Sequence, residues 1–180
     1  MTEEVYKELK KGHVQHILTM LEKTGNVYPH VTILADKEGE EKPTIIHIPI
    51  LANLMDSDEA KDRLIEEVFP EIKEELKSQG FTVKAVCFAS EVWIRETTPE
   101  EFEATEDYTD LNVTNEGVFI SIDDEKEGTV YSYKIIRGHM AVGEEGLTGN
   151  VSVEEINPPK VSPRGEAEGR FANLYDRFSD

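Results

Sequence analysis

Glu91, Trp93 and Arg95 are the residues whose types and spacing come nearest to a chemical site. In a strand, alternate residues share one face and stand about 7 Å apart. A carboxylate, an indole and a guanidinium would then lie in a row. A continuous sheet would bring His47 beside them, with Arg137 near by. Such a set can bind a polar ligand or supply general acid–base catalysis. These four residues, His47, Glu91, Trp93 and Arg95, are the candidate ligand-binding set. The competing account is structural and is favoured: Arg95 lies across the Trp93 ring, and Glu91 pairs with a cation of a neighbouring strand. No nucleophile–base pair is readable, because Cys87 sits among small residues in mid-strand, where a buried thiol is chemically quiet. No catalytic residue is assigned, and the reading leans away from an enzyme.

Other motifs carry less. His13 and His16 are spaced to share a helix face, with His30 as an available third ligand. There is no Cys cluster and no His-Glu-x-x-His pattern, so neither metal nor cofactor is expected. Asp56-x-Asp58 with Glu67 has the outline of a calcium loop, but Lys61 stands where that loop demands glycine. Gly143-Glu-Glu-Gly-Leu-Thr-Gly149 lacks the Lys-Ser/Thr end of a phosphate loop, and its carboxylates would repel phosphate.

The element that must position the first set is the run from Val83 to Glu96. Val86, Phe88, Ser90, Val92 and Ile94 would form its core side; Ala85, Cys87, Ala89, Glu91, Trp93 and Arg95 would form a more polar opposite side. Around it the spacing predicts an N-terminal helix over 3–24 and a hairpin from Val31–Ala35 and Ile45–Ile50. A long helix follows over 57–79, capped by Asp56, stopped at Gly80 and kinked at Pro70. A short helix should start at Thr98-Pro99. A second hairpin should run from Val118–Ile122 to Val130–Arg137. The expected fold is α+β: a mixed, mostly antiparallel five-stranded sheet packed against a long helix, with an N-terminal helix and an extended C-terminal tail. The third strand is expected parallel to the second, because helical crossovers return the chain in that sense. Residues 1–137 read as one domain, and 138–180 as a Gly/Pro-rich tail. In that tail Phe171, Leu174, Tyr175 and Phe178 repeat at helical spacing. They are the candidate partner-binding residues, with docking onto their own domain as the competing role.

Phe88-Ala-Ser-Glu-Val-Trp93, the later Glu116–Gly128 stretch and Ile135-Ile-Arg137 resemble a group of small uncharacterised bacterial proteins. Those proteins carry a Ser-Glu-Ala-Trp-like strand and a hairpin with an acidic turn. The resemblance covers about residues 30–137. Val92 replaces the expected Ala, and the acidic insertion over 97–115 is long. It implies a fold outline, and no activity or site residue is carried over.

The net charge of −19 on 180 residues is the most unusual bulk property. From Glu96 to Glu127 twelve acids face Lys126 alone, more than half of that charge. Direct nucleic-acid binding is disfavoured, since phosphates need Lys and Arg. One Cys, no leader and no run of apolar residues long enough for a membrane span suggest a soluble, cytoplasmic protein. The first functional expectation is a non-enzymatic protein-binding or assembly module, using the acidic insertion or the aromatic C-terminal segment on a partner or on itself. A small-ligand binder or enzyme at the Glu91/Trp93/Arg95 face is the alternative. An acidic DNA-mimic decoy is the third.

Overall fold

The computed structural model describes residues 3–95, 97–105, 113–138, 141–143, 146–148, 151–167 and 170–179. In chain order the elements are α1 (Glu3–Thr24), β1 (His30–Lys37), β2 (Thr44–Pro49), α2 (Asp58–Arg63), α3 (Phe69–Ser78) and β3 (Phe81–Ile94). They are followed by α4 (Pro99–Ala104), β4 (Asn115–Asp124), β5 (Glu127–Arg137), β6 (Ala141–Gly143), β7 (Gly146–Thr148), β8 (Val151–Glu155), β9 (Lys160–Pro163) and α5 (Tyr175–Phe178). The fold is α+β, with one seven-stranded sheet in the order β2-β1-β3-β4-β5-β8 and β9 also on β5. Among the described residues β6 and β7 form a separate two-stranded pair.

Every neighbouring pair in the sheet is antiparallel, which corrects the expected mixed sheet. The crossover does return β3 in the direction of β2. β1, however, lies between them and opposes both. Pro49 ends β2, the outermost strand on that side, where its missing N–H costs no ladder bond. The five expected strands are present. β8 and β9, within the stretch read as an extended tail, lie end to end along β5.

A second correction concerns the face expected to be polar. Both faces of β3 are core. On one, Val86 and Phe88 pack with Val31, Ile33, Leu64, Phe69 and Leu174. On the other, Cys87 and Ala89 pack under Ile17 and Leu21 of α1, with Ile120 and Ile135 beside them. Small residues there let α1 lie close to the sheet. The pairing of β1 with β3 slips at Lys84, a bulge, so Val83 joins the Val86/Phe88 side despite its odd number.

The long helix is interrupted. Its cap is Ser57 and not Asp56: the Ser57 hydroxyl accepts from Ala60 N–H at 3.1 Å. Between α2 and α3, Leu64–Val68 widen into a π turn just before Pro70. Pro70 has no N–H and its ring crowds the carbonyl four residues back, so the helix widens there. At Thr98 the expected cap is reciprocal: Glu101 N–H donates to the Thr98 hydroxyl and Thr98 N–H to the Glu101 carboxylate.

Candidate functional site

β3 outruns one of its neighbours. Its pairing with β1 ends at Ala89 opposite His30, while its pairing with β4 continues to Ile94 opposite Asn115. Past Ala89 the chain leading into β1, residues 26–29, makes no ladder pairing with β3. A groove of about 740 Å³ opens between them. Phe88, Phe119 and Phe171 lie at its apolar side, and Phe171 stacks on Phe88 with ring centroids 4.3 Å apart. Trp93, 67% exposed, and Tyr28, 73% exposed, both line it. Lys61, Arg95 and Arg170 also line it.

The four candidate ligand residues do not converge. Trp93, near the end of β3, and Arg95, just past it, both line the groove. Glu91 lines it too, but its carboxylate is engaged: it accepts from Val27 N–H at 2.6 Å and from Arg137 at 3.4 Å. Arg137 also bonds Glu116 and the Gly25 carbonyl, so Glu91 helps tie the end of α1 to β3 and β5. The structural account expected a cation from a strand next to β3; Arg137 belongs instead to β5, with β4 between them. His47 is not part of the groove. It pairs across β1 with Thr32, which lies opposite Cys87, four residues before Glu91.

His47 belongs instead to a row of imidazoles under α1. The His30 and His47 rings are 4.5 Å apart, and those of His13 and His30 are 6.1 Å apart, edge to face. His30 Nδ1 is 2.8 Å from the Tyr28 carbonyl, and His47 Nδ1 is 3.0 Å from the Thr32 hydroxyl. His13 Nε2 is buried with no partner. Burial, then the proximity of His30, His16 and His47, lowers the His13 pKa to about 4. His30 and His47 are lowered as well, again by burial first. Neutral rings therefore pack here. Among the described residues no group of three His, Cys, Asp or Glu side chains is arranged to hold a metal ion.

The aromatic C-terminal segment lies in the core. Leu174, Tyr175 and Phe178 are buried against the α3 side of the sheet, and the Phe178 ring is 5.0 Å from that of Phe69. Two polar residues of β4 anchor the segment. The Ser121 hydroxyl donates to the Phe171 carbonyl at 2.9 Å, and Asp123 Oδ2 accepts from Leu174 N–H at 2.9 Å. Burial pushes the Asp123 carboxyl up to about 6. Arg164 adds an ion pair with Asp176 and lies over the Tyr175 ring. Of the four candidate partner residues only Phe171 reaches the groove. Cys87 is fully buried, and burial pushes its thiol up to about 12. Such a thiol stays protonated and is no nucleophile.

The groove draws Tyr28, Met55, Lys61, Phe119, Arg170 and Phe171 from four separated segments, and sequence reasoning missed it as a site. The one local signal was an indole at a position where the strand pattern turns polar. Part of the acidic insertion, residues 96 and 106–112, lies outside the described residues. Among the described residues no helix is long and apolar enough to cross a membrane. No protein-family model, curated protein or solved structure matches the chain.

Proposed function

We propose that the chain is a non-enzymatic binding module whose partner is a protein, engaged at the open end of β3. The observation that carries this reading is the groove itself, lined by the exposed Trp93 and Tyr28 and with aromatic side chains at its base. Exposed Trp and Tyr beside a concave apolar floor are the usual anchors of protein interfaces. The aromatic C-terminal segment is packed within the chain and supports this role only through Phe171. The charge of the described part of the acidic insertion, Glu100 and Glu103 among it, would steer a partner toward the surface.

For a small ligand the groove offers the Trp93 indole, without His47 and with the Glu91 carboxylate already bonded. A photoreactive residue placed at Trp93 tests the protein reading in cells that express the chain. The expected result is a discrete adduct that excess wild-type chain suppresses and excess Val92→Glu chain does not. The same label at Ile45, on the opposite edge of the sheet, should give none. Equal labelling from both positions, or none from 93, would overturn the reading.

A further inference from the structure

Resting on that reading, we infer that the groove takes an extended segment of the partner as an added β-strand on the free edge of residues 90–94. The segment carries an aromatic or aliphatic residue and, two residues along, a carboxylate. The direction of the backbone groups points to this. Ile50 N–H donates to the Pro29 carbonyl at 2.9 Å, so odd-numbered residues at that end of β1 face β2 and His30 faces β3. Its partner Ala89, and with it the odd-numbered residues of β3, therefore face the β1 side. At the other end the Ile94 carbonyl accepts from Thr114 N–H at 2.9 Å, which places the even-numbered residues toward β4. Both ends agree: the N–H and C=O groups of Glu91 and Trp93 face the groove. Among the described residues no strand pairs with them there. The Glu91 carbonyl takes a bond from the neighbouring Ser90 hydroxyl at 2.9 Å, a substitute for a missing strand. Such an edge is a template for another backbone, and side chains facing alternate sides supply specificity.

Charge selects the chemistry of the segment. Lys61 and Arg170 line the groove on its α2 side, whereas its one carboxylate, Glu91, is turned to Val27 and Arg137, in a chain of net charge −19. Lys61 and Arg170 are half-buried and paired with Asp58 and Asp62 on α2, whose side chains are 76% and 54% exposed. A ligand carboxylate would take the place of these solvent-facing aspartates, whose own pairs are worth little. Phe88, Phe119 and Phe171 lie on the same side of the sheet as α2. Residues i and i+2 of an added strand share a side, one over the rings and the next at the cations.

The probe is an acetylated, amidated Thr-Phe-Thr-Glu-Thr peptide, titrated against the full chain and followed by Trp93 fluorescence. Two N-methylated versions carry the methyl on the Phe and Glu amides or on the Thr amides. Only one set of amides faces β3, so one version should bind about tenfold or more weakly while the other matches the parent. Replacing Glu by Lys should weaken binding by about tenfold, and Lys61→Gln should shrink that preference. Equal binding by both methylated versions would overturn strand addition and leave the groove as a protein site, still reported by the crosslink from position 93. Equal binding of the Glu and Lys peptides would overturn the assigned chemistry. No binding of the parent peptide would overturn the inference.

Discussion

A buried imidazole and a buried carboxyl give this protein opposite responses to acid. His13 is held neutral by burial beneath α1, with its folded pKa near 4 against 6.5 in the open chain. As pH falls below 6.5 the unfolded chain takes up a proton there before the folded chain does, so stability is lost until about pH 4. His30 and His47 are shifted in the same direction and add to that loss. Asp123 works the other way. Its folded pKa is about 6 against 3.8, so the folded chain binds the proton first, and its contribution is present at low pH and lost as pH rises through 6. The two windows overlap between about 4 and 6, and a wild-type profile alone would understate each. Replacing His13 by Leu isolates one of them. At pH 5 the stability deficit relative to pH 8 should shrink by about 1–2 kcal/mol, measured by urea denaturation at both values. An unchanged difference between the two pH values would show that His13 titrates normally and that α1 does not shield it.

The C-terminal segment illustrates why some elements were legible in the sequence and others were not. Phe171, Leu174, Tyr175 and Phe178 announce an amphipathic turn, but a stripe does not name the surface it covers. The answer lay in β4, where Ser121 and Asp123 are polar residues at inward-facing positions that bond the backbone of 171–174. Neither is interpretable until the segment is seated on it. Leu174 is fully buried, so Leu174→Ala should cost about 2–5 kcal/mol in chemical denaturation, as for other fully buried leucines. A segment that rested loosely on the surface would give a cost near zero. β1 to β5 and α1 were readable because alternation and helical periodicity are local properties of those stretches. β8 and β9 were missed because they are short, lie among Gly and Pro, and gain strand character only from the free edge of β5. The antiparallel order escaped for a related reason: a crossover fixes the direction of β3 and leaves open which neighbour it will pair with. The candidate site was half legible. Trp93 and Arg95 follow from strand alternation, whereas the groove exists only because β1 stops short of the end of β3, a difference in length that no residue type encodes.

At the scale of the whole molecule the dominant quantity is charge. A chain with 38 acids and 19 bases repels itself when compact, and the repulsion is relieved on unfolding. Specific pairs offset part of it. Lys10 of α1 reaches Asp124 at the β4–β5 turn, Arg137 bridges Glu91 and Glu116, and Arg170 ties the C-terminal segment to Asp58 and Asp62 of α2. Salt acts on both contributions with opposite sign. It weakens the exposed pairs, each worth about 0–1 kcal/mol, and it screens the net repulsion over the whole surface. The excess of nineteen negative charges makes the second effect the larger. The thermal midpoint should therefore rise as sodium chloride is raised from about 0.01 to 0.15 M, where the screening length falls from about 30 to 8 Å. Calorimetry at the two concentrations measures it. A falling midpoint would mean that the ion pairs, chiefly those of Arg137 and Arg170, outweigh the repulsion. The same screening should slow capture of a basic partner by the acidic surface, while an acidic strand entering the β3 groove should associate faster in salt, since it must approach a molecule that repels it.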